Sequence, residues 1–462
     1  MAVNVRVTYV SEVPENGPWI LYAPEDFPIV EGRERCVWVA HCEKAWSVFE
    51  TPLPPDVEQV DGLACVVQHS AARRGPFDVA FDLVVNALYF LSCWSERAAC
   101  GSAPMRGLYR DSLFARADVP QDVVDTYLMR LLSALNAVCE KLGLEPWAMS
   151  GEWPSGSKYA LVLSHDVDFI PYGKWDILLQ GAKSLARHLV SHRDPGDALR
   201  AFRGLARALL SGRDPYGCIP EIIAREKSLG VRASFQVAVG HRHRADVKYR
   251  IEDDSIRDYV AAVTDAGFDL CLHGSYRSTE NVDWYVEEAR LLERRVCKPV
   301  GSRQHFLSFI YDNLFLAQER ACVQYDMSIG YPDYIGPRAG FSYPFFPYCL
   351  DQDRPYDVVE IGLLLMDVTL RSYMKLKGDK AWEVMETQLD ALRTKGGCAS
   401  IVWHPIVFGG ARDPGDAELF WQAVAYARDT DGLATDGRAI NSIWRDRARG
   451  YSSFINVSEP ER

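Results

Sequence analysis

The stretch that decides the fold is Tyr159-Ala160-Leu161-Val162-Leu163-Ser164-His165-Asp166-Val167-Asp168. Its first part is a short apolar run without polar alternation, as expected of a strand buried on both faces. It passes directly into one imidazole and two carboxylates. Asp is a favoured helix N-cap, so Asp166 and Asp168 could simply open the next helix. Two acids and a histidine at the end of a buried strand exceed what capping needs, and we read the segment as part of a reaction centre. Carboxylates two positions apart can enter one cavity if the chain bends there, one binding a metal while the other stays free as a base.

Outward from this segment the chain alternates strands and helices. Strand-like runs are expected at 231–239, 267–272, 358–366 and 398–403, and helices at 255–266, 282–296, 380–394 and 417–428. Repeated βα units imply a parallel sheet, open or closed into a barrel, with the chemistry at the C-terminal strand ends. Those ends carry His273-Gly274-Ser275-Tyr276, Met366-Asp367 and Trp403-His404-Pro405, while Arg303-Gln304-His305 follows the helix 282–296. Histidine and carboxylate donors with an open position are the usual surroundings of a catalytic Zn2+ or similar ion. One histidine at a strand end is as often a structural hydrogen-bonding residue. Recurrence at successive strands favours function for His273 and His404, and leaves His305 undecided on position alone.

The chain upstream of about residue 150 reads differently. It has short strand-like runs, including one at the N-terminus, a Pro-rich turn at 51–55, and helices expected at 77–97 and 121–142. Gly151 to Lys158, rich in Gly, Ser and Pro, reads as the junction between a small α/β domain (1–150) and a catalytic domain (151–462). A length of 462 residues agrees with two domains.

Bulk composition excludes several classes. Hydrophobic residues make up 48% of the chain and charged residues 25%, values ordinary for a globular protein. The net charge of -12 opposes non-specific attraction to nucleic acid or anionic lipid, so no nucleic-acid partner is expected. The nearest approach to a basic patch is Arg242 and Arg244, interleaved with His241 and His243, which we read as a solvated loop. No apolar run is long enough to span a bilayer, and the N-terminus has neither a basic n-region nor an apolar h-region. The expected location is the cytoplasm. Twelve cysteines, without a Cys-x-x-Cys pair, read as free thiols, and none has a convincing nucleophile motif.

Together these motifs resemble the polysaccharide deacetylase superfamily (carbohydrate esterase family 4), in the branch whose first motif reads His-Asp-Val-Asp. The resemblance covers about residues 159–410, and Gly301 to Leu307 and Arg338-Ala339-Gly340-Phe341-Ser342 contribute to it. The region before it is similar to the N-terminal domain that precedes this branch, notably at Asp111-Ser112-Leu113. It implies a distorted (β/α) barrel preceded by a small α/β domain, with a divalent metal, usually Zn2+, held by one Asp and two His. Carried over residue by residue, Asp166 matches the catalytic base, Asp168 and His273 metal ligands, and His404 the catalytic acid. Arg338 matches the arginine that pairs with the base, and Asp367 the acid that orients the catalytic histidine. The family's second motif places another histidine four residues after His273, where this chain has Arg277. Three outcomes remain open: His305 supplies the third ligand, the site has two ligands, or the protein is not a hydrolase. We take the first, with His165 as a reserve ligand.

The implied reaction is metal-assisted removal of an acyl group, acetyl above all, from an N-acylated amino sugar or related small glycoside. The metal and a backbone N–H would hold the oxyanion. Tyr276, Phe341, Tyr343 and Trp403 are the expected substrate-lining aromatics, with 341–347 as the lining loop. The rival readings are an amidohydrolase acting on a non-sugar amide and a degenerate, non-catalytic carbohydrate-binding protein.

Overall fold

The fold is described from a computed structural model that covers residues 17–24, 32–50, 56–66, 78–147, 153–170, 199, 202–203, 206, 218–409 and 414–452. The expected N-terminal strand and the turn at 51–55 lie outside the described residues.

The first part of the chain contains β1 (Trp19–Ala23) paired in parallel with β2 (Cys36–Ala40), and a hairpin of β3 (Glu58–Val60) and β4 (Leu63–Cys65). Where one helix was expected at 77–97 there are two, Leu83–Leu91 and Trp94–Cys100. Asp82 starts the first by accepting the N–H of Val85, and a left-handed Cys93 (φ 51°) ends its direction before the second begins. The helix Val123–Lys141 packs Val124, Tyr127, Leu131 and Leu135 onto these elements, at the spacing of one helix face.

The second part is a parallel sheet: β5 (Tyr159–Val167), β6 (Ser234–Val237), β7 (Asp269–Gly274), β8 (Gly301–Gln304) and β9 (Tyr325–Asp326). After a short hairpin of β10 (Tyr348–Cys349) and β11 (Arg354–Pro355) come β12 (Val359–Glu360), β13 (Leu363–Met366), β14 (Cys398–Val402) and β15 (Gly432–Thr435). The order across the sheet is β12-β9-β8-β7-β6-β5-β14-β13, with β15 also on β5, and every pairing is parallel. Its two edges, β12 and β13, are successive pieces of the single segment 358–366. One strand was expected there. Instead the segment leaves β9 and joins β14 on either side of Gly362, which draws the edges together and curls the sheet into a distorted (β/α) barrel.

Alternation along the strands assigns each side chain to a layer. On β5, Ala160 and Val162 join Cys271, Tyr325 and Ile361 in the barrel's interior core, while Leu161 and Leu163 pack outward against the helices. Trp153 closes the lower end, donating its indole N–H to Gly396 O. By this rule the interior positions at the upper, C-terminal end are polar.

The two parts of the chain are pinned together by a buried ion pair. Arg338, expected beside the catalytic base, instead binds Glu96 of the helix Trp94–Cys100, and donates from Nη1 to Gly330 O at 3.0 Å. Tyr331 donates its hydroxyl to the same carboxylate at 3.2 Å. The Arg338 side chain is fully buried, so deleting its partner strands a charge away from water. Glu96→Ala is expected to cost about 3–5 kcal/mol, read as a lower thermal midpoint, and Glu96→Leu/Arg338→Met to cost clearly less. Equal losses in the two variants would show that the pair is not what is being read.

Candidate metal centre

Five strand ends build the site. Asp166 is the penultimate residue of β5 with Asp168 just beyond the strand, His273 is the penultimate residue of β7, and His305 follows β8 directly. Asp367 follows β13, and His404 stands two residues past β14. Parity sorts the opening motif. Ser164 and Asp166 face inward, where Arg303 Nη1 reaches Ser164 Oγ at 2.9 Å and Asp166 Oδ1 at 2.7 Å. His165 faces the helix layer, fully buried between Trp403 O (2.8 Å from Nδ1) and Glu226 Oε1 (3.1 Å from Nε2). It is a structural residue and not a reserve ligand.

Asp168, His273 and His305 gather donor atoms that all lie within 4.8 Å of one another. The Nδ1 of His273 faces Arg303 O at 2.9 Å, which fixes the ring and leaves Nε2 turned inward, 3.1 Å from Asp168 Oδ1. Among the described residues, Asp168 Oδ1, His273 Nε2 and His305 Nδ1 are buried atoms without a hydrogen-bond partner. Buried polar atoms are rarely left so, and Asp168 Oδ1 and His273 Nε2, 3.1 Å apart with His305 Nε2 3.6 Å from the same oxygen, are placed as a cation would need them. The residues therefore fit a divalent transition metal. Arg277 does not enter the cluster; it is half-exposed beside Tyr276, where its Nε donates to Glu280 at 2.6 Å.

Charges around the cluster are consistent with this. Burial opposes ionisation of Asp168, but the adjacent imidazoles of His305, His273 and His404 hold its carboxyl well below the usual range. Burial likewise disfavours a charged Asp166, and Arg303, then His273 and His404, outweigh it and keep the carboxyl low. Asp166 is thus the second carboxylate of the site, its Oδ2 4.0 Å from His273 Nε2, paired to a fully buried arginine. On the opposite side His404 Nδ1 lies 2.7 Å from Asp367 Oδ1, and its Nε2 points to Asp168 Oδ2 at 3.4 Å. Burial works against a charged His404, yet Asp367 and Asp168 raise its pKa well above the ordinary histidine value.

Three expectations need correction. The arginine at Asp166 is Arg303, carried on β8 two residues before His305 and so facing the same interior; Arg338 pairs with Glu96. Trp403 is outward by parity, fully buried, and donates its indole N–H to Asp416 O, so it offers no face to a substrate. Phe341 and Tyr343 lie at the wrong end of the barrel. The carbonyl of Ser342, between them, accepts the N–H of Cys398, the first residue of β14, while His404 is past its last. The Tyr343 hydroxyl bonds to Lys395 O, and Phe341 packs partly buried against the cores of both parts.

Tyr276 does stand at the rim, and a neighbour joins it. Phe306 has a left-handed backbone (φ 60°) and is 58% exposed, an unusual combination for a large apolar residue. Its ring lies 4.2 Å from that of His305 and 5.4 Å from that of Tyr276. Position next to a candidate ligand was the sequence signal for it.

No helix among the described residues is long and apolar enough to cross a membrane, and the twelve cysteines are free. No protein-family model matches the chain, and no curated protein matches it. Among solved structures, the chain is similar to a Mycobacterium smegmatis protein described as a presumed polysaccharide deacetylase, with 17% identity over 68% of this chain and 99% of that one and a TM-score of 0.43. It is also similar to a Bordetella bronchiseptica protein described as a presumed polysaccharide deacetylase involved in O-antigen biosynthesis, with 14% identity over 55% and 74% of the two chains and a TM-score of 0.29. At these scores the likeness carries no argument about activity, which must come from the side chains.

Proposed function

We propose that the protein is a metal-dependent deacylase that removes an acyl group, acetyl above all, from an N-acylated amino sugar or related small glycoside. The observation that carries this is the juxtaposition at one barrel end of a three-donor cluster, an arginine-paired carboxylate and a carboxylate-paired histidine. Asp168, His273 and His305 would hold Zn2+ or another divalent transition metal. Such an ion supplies Lewis acidity, polarising an acyl carbonyl and easing ionisation of a water.

The chain's own residues divide the proton traffic. Asp166, kept ionised by Arg303 and close to the cluster without belonging to it, accepts a proton from the attacking water. His404, kept cationic by Asp367, donates a proton to the departing amine. Arg303 also ties β8 to β5 and to Met327 O at 2.9 Å, so it fixes where Asp166 sits. The exposed aromatic face of Phe306, with Tyr276 at its edge, suits a sugar ring. With His305 in the cluster, Arg277 no longer leaves it one ligand short, which was the reason to consider a degenerate binding protein.

The test is acetate release from a panel of N-acetylated amino sugars and simple N-acetyl amides by Zn2+-loaded protein. Release from a sugar, stopped by chelation and restored by Zn2+, is the expected result. Release only from the non-sugar amides would move the activity to the amidohydrolase reading, and no release from any compound would sink the deacylase one.

A further inference from the structure

We infer that the rim beside the metal centre is built to seat an anionic substituent of the substrate, a phosphate or a carboxylate, through Arg106 and Arg277. This rests on the deacylase reading and narrows its substrate class to acidic glycosides. The anchor is Tyr276, which follows β7 by two residues. The guanidinium of Arg106, from the first part of the chain, lies 4.3 Å over its ring. Arg106 Nε donates to Ser308 Oγ at 2.8 Å, which orients the guanidinium. Arg277, the next residue along, is held by Glu280, and Arg106 Nη2 lies 3.9 Å from the other oxygen of the same carboxylate. Two guanidinium groups thus share one carboxylate, and a positive charge remains. Both arginines are only partly covered, at 43% and 46% side-chain exposure.

The loop 241–244, read from sequence as merely solvated, belongs to this rim. His243 stacks on Tyr276 with centroids 4.8 Å apart, flanked by Arg242, which pairs with Glu287, and by Arg244, which is exposed. The acids here are Glu280, Glu287 and two buried groups: Asp246, turned inward to accept the N–H groups of His243 and Tyr276, and Glu288, which accepts from Ser275. The excess of Arg106 and Arg277 over the one carboxylate they share, on a chain of net charge -12, is a local device and not a property of the whole surface. It connects to the metal centre through adjoining rings: Tyr276 to Phe306 at 5.4 Å, Phe306 to His305 at 4.2 Å, and His305 to His273 at 4.9 Å. A sugar lying on the exposed Phe306 ring, with Tyr276 at its edge, would bring its acyl group to the donor cluster and an acidic substituent to the arginines. Planar guanidinium groups suit phosphate and carboxylate alike.

Binding can be measured independently of turnover. Calorimetry on full-length Zn2+-loaded Asp166→Asn protein would compare N-acetylglucosamine 1-phosphate, N-acetylglucosaminuronic acid and the neutral methyl glycoside of N-acetylglucosamine. At least one acidic ligand should bind about tenfold or more tightly than the neutral one, with a preference that shrinks as salt rises. The two acidic ligands separate phosphate from carboxylate. Arg277→Ala, at an exposed position, and Arg106→Gln should each remove most of that preference while leaving neutral binding unchanged. Equal affinity for acidic and neutral ligands, or a preference that survives both substitutions, would overturn the inference. Acidic preference without acetate release from any wild-type reaction would instead leave the rim standing and contradict the deacylase reading.

Discussion

Asp166→Asn should lower kcat by about 10²–10⁴-fold on a true substrate while leaving metal content at the wild-type level. The two readouts belong together because of where Asp166 sits. It lies outside the three-donor cluster, so removing its charge should not release the ion. Its 2.7 Å contact to Arg303 keeps it ionised, and an amide cannot take up a proton at that position. Loss of activity with loss of metal would demote Asp166 to a ligand or a structural residue. Near wild-type turnover would remove it from the reaction.

His404→Ala should fall in the same range, and the pH profile should identify what was lost. In the proposed reaction the working form of His404 is the cation, which exists below its pKa. That pKa is raised because Asp367 and Asp168 outweigh burial. Activity limited by this group should therefore persist through neutral pH and decline only as pH rises through the raised value. Asp367→Asn removes one of the raising charges, so the alkaline limb should move to lower pH while His404 remains in place. An alkaline limb that does not move would assign it to another group and leave Asp367 as an orienting residue alone.

Much of this centre was legible because strand ends in a parallel barrel announce themselves. The run 159–163 is apolar on both faces, so the inward-facing polar residues that follow it stand at its mouth. The same holds for His273 after 269–272 and His404 after 398–402. By contrast β8 reads Gly-Ser-Arg-Gln, with no apolar signature, because its inward position carries Arg303 and Ser302 faces Asp326 and Gln318. His305 therefore looked like a residue after a helix when it is a residue after a strand. Strict parity would have separated His165 and Trp403 from Asp166 and His404, since each differs by one position and so faces the other layer.

The arginine assignment could not have been read from local sequence. Arg338 and Glu96 lie 242 residues apart and meet only where the two parts of the chain dock. The aromatic segment 341–347 misled for a related reason. Composition suited a substrate loop, but position in the barrel is set by the Ser342 carbonyl at the start of β14. The resemblance implies a histidine where Arg277 stands; in the proposed site His305 takes that place, because β7 and β8 are neighbours and bring His273 and His305 to ring centroids 4.9 Å apart.

The central claim is that Asp168, His273 and His305 hold one divalent cation, and metal stoichiometry tests it most directly. Protein stripped by chelation, reconstituted with Zn2+ and freed of excess should retain about one ion per chain. The same should hold for Asp166→Asn and Arg277→Ala, whereas His305→Ala should lose the ion. Full retention in His305→Ala, or no tightly held ion in the wild-type chain, would contradict the account.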